Sequence, residues 1–197
     1  MLGMNVTLLA LLGMQYVKNQ RIQEQIAGKV LRFHVLANSD TAEDQNLKLA
    51  VRDAVGSRMA ELLSDVPDRE ACEQVVEAHL PEIAETAQAV VREAGYEYEV
   101  HAAIEETEFP SKTYGKFTFP AGKYEALRVV IGEGEGHNWW CVMYPNLCFA
   151  NSMYEVDASS GEKLREVLEP EEYAAVLESG NYKVRFKMLG FLNRVLE

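Results

Sequence analysis

The hydrophobic period of this chain changes at Gly95, and that change limits the fold more than any other feature. Before it, Leu47, Val51, Ala54, Val55, Met59 and Leu62 recur at helical spacing and define one buried stripe. After it, Tyr96, Tyr98, Val100, Ala102 and Ile104 alternate as a strand does. Residues 30–37 (VLRFHVLA) alternate too, with Leu31, Phe33 and Val35 on one side. Asn38-Ser39-Asp40 ends that strand. Asp40 followed by Glu43 reads as an N-cap with a capping box, opening a helix to about Leu63. Val66-Pro67-Asp68 resets the chain, and a second helical stretch over residues 69–94 stops at Gly95. Pro81 either kinks that stretch or opens a new helix from its first turn.

Further along, Phe109-Pro110 and Pro120-Ala121-Gly122 bracket an irregular aromatic stretch with Tyr114, Phe117 and Phe119. Residues 124–131 read as a strand, followed by a Gly-rich turn and a return strand over 139–144. One or two short helices surround Pro170, residues 182–186 are β-prone, and 187–196 carry a helical pattern. This order predicts an α+β fold: a mostly antiparallel sheet with helices packed on one face, plus an N-terminal apolar helix.

Charge divides the 197-residue chain unevenly. Residues 1–38 hold four bases against one acid, a net of +3, and residues 39–197 hold 15 bases against 30 acids, a net of −15. A body this acidic argues against a nucleic-acid partner, whose phosphates are bound mainly by Lys and Arg. The first 17 residues carry no charge, and 12 of them are apolar. That run sits at the lower limit for a membrane-spanning helix, about 17 residues. Three readings stand: an uncleaved anchor or truncated export signal, a buried N-terminal helix, or a helix pairing with a partner. Lys18 and Arg21 follow the run, whereas an export signal has its basic residues before it. The expected division is an apolar segment over 1–28 and a single α+β domain over 29–197.

The chemistry-bearing residues are few. Gly132-Glu133-Gly134-Glu135-Gly136 has glutamates where a phosphate loop excludes anions, and reads as a flexible connection between two strands. His137, Cys141 and Cys148 lack the fourth ligand and the tight spacing of a zinc site, so no metal and no cofactor is expected. A nucleophilic Cys141 with His137 as its base is one alternative. Another is a Cys141–Cys148 disulfide across the turn-prone residues 144–147, leaving Cys72 unpaired, as an oxidising compartment would allow. The third is three reduced, buried thiols. Trp139 and Trp140 point to opposite faces of their strand, so one anchors the core and the other is either covered or exposed as a binding hot spot. His34 reads as a satisfied core or edge histidine, and Glu105, Glu106 and Glu108 as a solvated edge. No persuasive active site emerges from the residues.

Two motifs carry a resemblance. The first is Leu31-Arg32-Phe33-His34-Val35-Leu36-Ala37-Asn38-Ser39-Asp40, continuing through Glu43-Asp44-Gln45, Lys48 and Val51-Arg52-Asp53-Ala54-Val55. The second is Gly132-Glu133-Gly134 with Gly136-His137-Asn138-Trp139-Trp140-Cys141-Val142 and Pro145 to Phe149. Together they resemble the stage II sporulation protein R family of endospore-forming bacteria. The resemblance implies a signalling protein rather than an enzyme. It would be exported from the forespore into the intermembrane space, with membrane contact through its N-terminal segment. There it would activate a membrane-embedded aspartic protease of the mother cell, so that pro-sigma-E is processed. On this reading the partner-binding residues are Asn38, Ser39, Asp40, His137, Asn138, Trp139 and Trp140. The competing expectation is a cell-envelope thiol hydrolase using Cys141 and His137.

Overall fold

The computed structural model describes residues 2–145, 147 and 158–178. Its elements are α1 (Leu2–Ala27), β1 (Leu31–Leu36), α2 (Ala42–Leu62), α3 (Arg69–Ala78), α4 (Leu80–Glu93), β2 (Val100–Phe109), β3 (Lys112–Tyr114), β4 (Phe117–Phe119), β5 (Gly122–Ile131), β6 (Asn138–Tyr144), α5 (Ala158–Val167) and α6 (Pro170–Glu178). The expected elements over 182–196 lie outside the described residues.

Local signals explain most of these boundaries. Asp68 caps α3 by accepting from the Ala71 N–H at 2.8 Å. Pro81 sits in the first turn of α4, so the long helical stretch is two helices. Gly95 has φ +84°, the left-handed conformation that ends a helix. The expected strand at Tyr96 begins instead at Val100. Gln88 intercepts the intervening backbone, donating to the Tyr98 carbonyl (2.9 Å) and accepting from the Val100 N–H (3.0 Å). The N-cap of α2 is Thr41, whose hydroxyl accepts from the Asp44 N–H at 3.3 Å, and not Asp40. The stretch expected to be irregular forms the β3–β4 hairpin, turned by Gly115 at φ +56°.

Four strands form the main sheet in the order β2-β5-β1-β6. β2–β5 and β1–β6 pair antiparallel, and β1–β5 pairs parallel. The fold class is therefore α+β with a mostly antiparallel sheet, as expected. β6 does not return beside β5, because β1 lies between them. β2 is an edge, and its Glu105 and Glu106 pair across the ladder with Arg128 (3.0 Å) and Lys123 (2.7 Å). Charges along an edge strand discourage further strand addition.

Helices cover both faces of the sheet, not one. Leu31, Phe33, Val35, Leu127, Val129 and Ile131 face a core built with α2, α3 and α4. Tyr124, Ala126 and Val142 face a second core that includes Ile26 of α1, Phe109, Phe117 and Phe119, Leu164 of α5, Val176 of α6 and Leu168 between those two helices. Strict alternation in β1 is the reason. Its other set, Arg32 and His34, with Val30 just before the strand, is buried as deeply as the first. Among the described residues no helix is long and apolar enough to cross a membrane.

Arg32 and His34 give the second face its character. The Arg32 side chain is wholly buried among four aromatic rings, with its guanidinium carbon 4.3 Å from the Phe109 centroid, 4.9 Å from Tyr124, 5.3 Å from Phe119 and 5.8 Å from Tyr114. Nε donates to the Cys141 carbonyl (2.9 Å) and Nη2 to the Tyr114 hydroxyl (3.0 Å), so one residue ties β1 to β6 and to the hairpin. No described carboxylate pairs with it. Ring faces take the place of an anion.

His34 is also buried, stacked on Trp140 at 4.9 Å and tilted against Phe109 at 5.3 Å. Among the described residues both of its ring nitrogens lack a hydrogen-bond partner, so the expected satisfied histidine is an unsatisfied one. Burial, reinforced by the positive charges of Arg128 and Arg32, pushes its pKa down to about 3 from 6.5. The folded state therefore keeps His34 neutral where the unfolded chain protonates it. The stability this contributes is complete above pH 6.5 and is lost as pH falls toward 3. Between pH 7.5 and 5 the loss is about 2 kcal/mol. Urea unfolding of His34→Phe should show a stability change between pH 7.5 and 5 smaller than wild type by that amount. An unchanged difference would contradict the buried neutral histidine.

Candidate functional site

At one end of the sheet the chain leaves β1 through Asn38-Ser39-Asp40, and the β5–β6 connection passes directly over it. The contact is dense. The Asn38 side-chain oxygen accepts from the Glu133 N–H (3.1 Å), the Asn38 carbonyl from Glu135 N–H (3.2 Å), and the Ala37 carbonyl from Gly136 N–H (2.9 Å). A Cβ on Gly132 would sit 2.2 Å from the Asn38 side-chain oxygen, and one on Gly136 would sit 2.2 Å from the Ser39 carbonyl. Gly132 also adopts φ +57°. The glycines are there because no larger residue fits against Asn38 and Ser39. The expected flexible connection is thus a hydrogen-bonded one.

Below the loop, Asp44 is the anchor. It is 4% exposed and accepts from Asn38 Nδ2 (2.9 Å) and from the Ser39 hydroxyl (2.6 Å). Burial acts to raise its pKa, but hydrogen bonds from Ser39, Asn38 and Tyr98 outweigh that and hold the carboxyl below its usual range. Gln45 Nε2 donates to the Ser39 carbonyl (2.9 Å), and Lys48 Nζ donates to the His137 carbonyl (2.9 Å). Burial lowers the Lys48 pKa, with Asp40 opposing it and Arg52 adding to it.

Above the loop, Asp40 accepts from the His137 N–H at 2.6 Å and pairs with His137 Nδ1. The side-chain bond from His137, then the one from its backbone, holds the Asp40 carboxyl below the usual range. Both side chains face solvent, His137 at 80% and Asp40 at 55% exposure. Asp40 caps no helix because its carboxylate is engaged across the loop.

The structure therefore brings Asn38, Ser39, Asp40 and His137 together, although they lie almost a hundred positions apart. Asn138 follows at the start of β6, half-buried, opposite Leu36. The tryptophans part company. Trp139 turns to the first core, edge-on to Phe33 at 5.5 Å and beneath the Arg52 guanidinium at 5.3 Å. Trp140 turns to the second, against His34 and Phe109. Both are half-buried, each packed against a different core.

His137 and Cys141 are not brought together. Four residues of extended strand separate them by about 13 Å. Cys141 is 4% exposed, opposite Phe33 in the ladder, and disulfide-bonded, so it presents no thiol to a substrate. Its proposed partner Cys148 lies outside the described residues. Cys72 is a free, buried thiol, and burial pushes its pKa up to about 12. Among the described residues no three His, Cys, Asp or Glu side chains converge as a metal site. The polar cluster thus offers an exposed, rigidly held acid–imidazole pair rather than a nucleophile.

Sequence reasoning missed Asp44, Lys48 and Arg32. The signal for the first two was available: polar residues on the apolar stripe of α2. The signal for Arg32 was a charge inside an alternating strand.

The family profile described as Stage II sporulation protein R (spore_II_R) matches residues 27–154, a stretch that contains both halves of this cluster. The chain belongs to this family. A relative, Stage II sporulation protein R of Bacillus subtilis (strain 168), is 37% identical over 141 residues, which cover 72% of this chain and 60% of the relative. The match thus spans less than two thirds of that relative's length. No solved structure matches. The family name places the chain in sporulation.

The packed loop makes a direct prediction. Gly136→Ala drives a methyl into the Ser39 carbonyl and should cost about 1–3 kcal/mol in urea unfolding. A change within about 0.5 kcal/mol of wild type, as at an ordinary surface position, would contradict the contact.

Proposed function

We propose that this chain is an exported sporulation signal. It acts from the intermembrane space on a membrane-embedded aspartic protease of the mother cell, so that pro-sigma-E is processed. Family membership supports the sporulation role. The observation that carries the binding reading is the exposed Asp40–His137 pair, mounted on a loop cluster held by Asp44, Asn38 and closely packed glycines. Preorganised polar groups lose little entropy on binding, which is what a docking surface needs. Activation follows if the protease's active state binds this surface more tightly than its resting state. The N-terminal apolar segment would serve export or membrane contact.

The test uses exposed residues outside both cores. Replacing both tryptophans would remove packing from each core, so an Asp40→Ala/His137→Ala protein is the better probe. It loses the bond from the His137 N–H to Asp40, so it should stay folded with a stability loss of about 0.5–1.5 kcal/mol, be exported normally, and lose pro-sigma-E processing in sporulating cells. Full processing by that protein would reject this surface as the docking site.

The same reading pairs Cys141 with Cys148 in an oxidising compartment. Exported protein should gain the mass of the hydrogens a bridge removes when it is reduced. Complete alkylation of the exported protein without reductant would reject the bridge.

A further inference from the structure

The apolar head and the folded body meet inside one continuous helix. α1 runs from Leu2 to Ala27, and its two ends have different surroundings. In the N-terminal part Leu12, Met14, Tyr16 and Val17 are 59–70% exposed. In the last turns the helix becomes part of the domain. Ile26 is wholly buried in the second core, with Ile22 and Ala27 packed beside it. Gln23 is 7% exposed and donates to the Lys123 carbonyl at 3.0 Å, and it fills the space where Gly122 lacks a side chain. Lys18 pairs with Glu171 of α6 (2.8 Å), and Lys29, just past the helix, pairs with the buried Glu172 (2.8 Å).

We infer that residues 18–27 are a structural plug of the exported domain, so that any peptidase removing the apolar head cuts upstream of Lys18. The removable part then ends before Lys18 and does not reach Gly28. The reasoning is steric and energetic. A cut after Ala27 or Gly28 removes Ile26 and Gln23 and opens the second core to water. A cut between Lys18 and Ile22 strips the carbonyls that the N–H groups of residues 22–25 use in the helix, and frays the plug. A cut upstream of Lys18 removes only residues outside that core.

Two measurements test this, and only the second rests on the export reading above. In the full chain, Ile26→Ala should lower the folding equilibrium constant by about 30-fold or more. Val17→Ala should change it by no more than about twofold. Equal, small effects at both positions would overturn the plug. If Ile26→Ala does not fold at all, Ile26→Val serves, with a drop of about two- to tenfold expected and none contradicting the inference. Intact mass of the protein recovered after export should then place its first residue at or upstream of Lys18. A first residue downstream of Lys18 would overturn the processing limit. A plug confirmed by Ile26 in a chain that is never exported would instead count against the export reading alone.

Discussion

The exposed end of this molecule depends on β1 lying between β5 and β6. Strands that follow one another in sequence ordinarily join through a short hairpin. Here the connection has to cross the end of β1, and the backbone of Asn38 and Ser39 already occupies that space. Only glycine fits at Gly132 and Gly136, and the crossing amides find their acceptors on Ala37 and Asn38. From that constraint come the burial of Asp44 beneath the turn, the capture of the His137 carbonyl by Lys48, and the meeting of Asp40 with His137.

The same central position explains the buried charge. A strand covered on both faces has no solvent side for its alternate residues, so Arg32 and His34 are buried with the apolar ones. Arg32 keeps its charge among ring faces and ties three segments together. His34 gives up its charge, and the fold becomes acid-sensitive above the range where carboxylates titrate. Among the described residues both His34 ring nitrogens and Arg32 Nη1 have no partner, and an unpaired buried polar atom costs free energy, which the surrounding aromatic packing has to outweigh. That packing comes from Phe109, Tyr124, Trp140 and the β3–β4 hairpin.

Much of the local structure was legible in the sequence. The stripe on α2, the break at Asp68, the stop at Gly95 and the alternation of β1 each report a local preference. Pairing was less legible, because alternation says which side a residue faces and not which strand lies beside it. The parallel β1–β5 ladder and the cover on the second face are long-range outcomes. Asp40 shows the same limit at one residue. Locally it is a good cap, but across the fold His137 competes for its carboxylate and Thr41 takes the cap. Of the proposed contact residues, Asn38, Ser39, Asp40 and His137 form one cluster, because their loops cross. The tryptophans do not join it, because neighbours on a strand must diverge.

If the loop crossing is the organising contact, it should be visible in the amides that make it. Native-state hydrogen exchange of Glu133, Glu135, Gly136 and His137 measures this directly. Slow exchange, approaching that of β1, is the predicted result. Exchange at the rate of a free glycine-rich loop would contradict the account, because Asp40 and His137 would then have no fixed support.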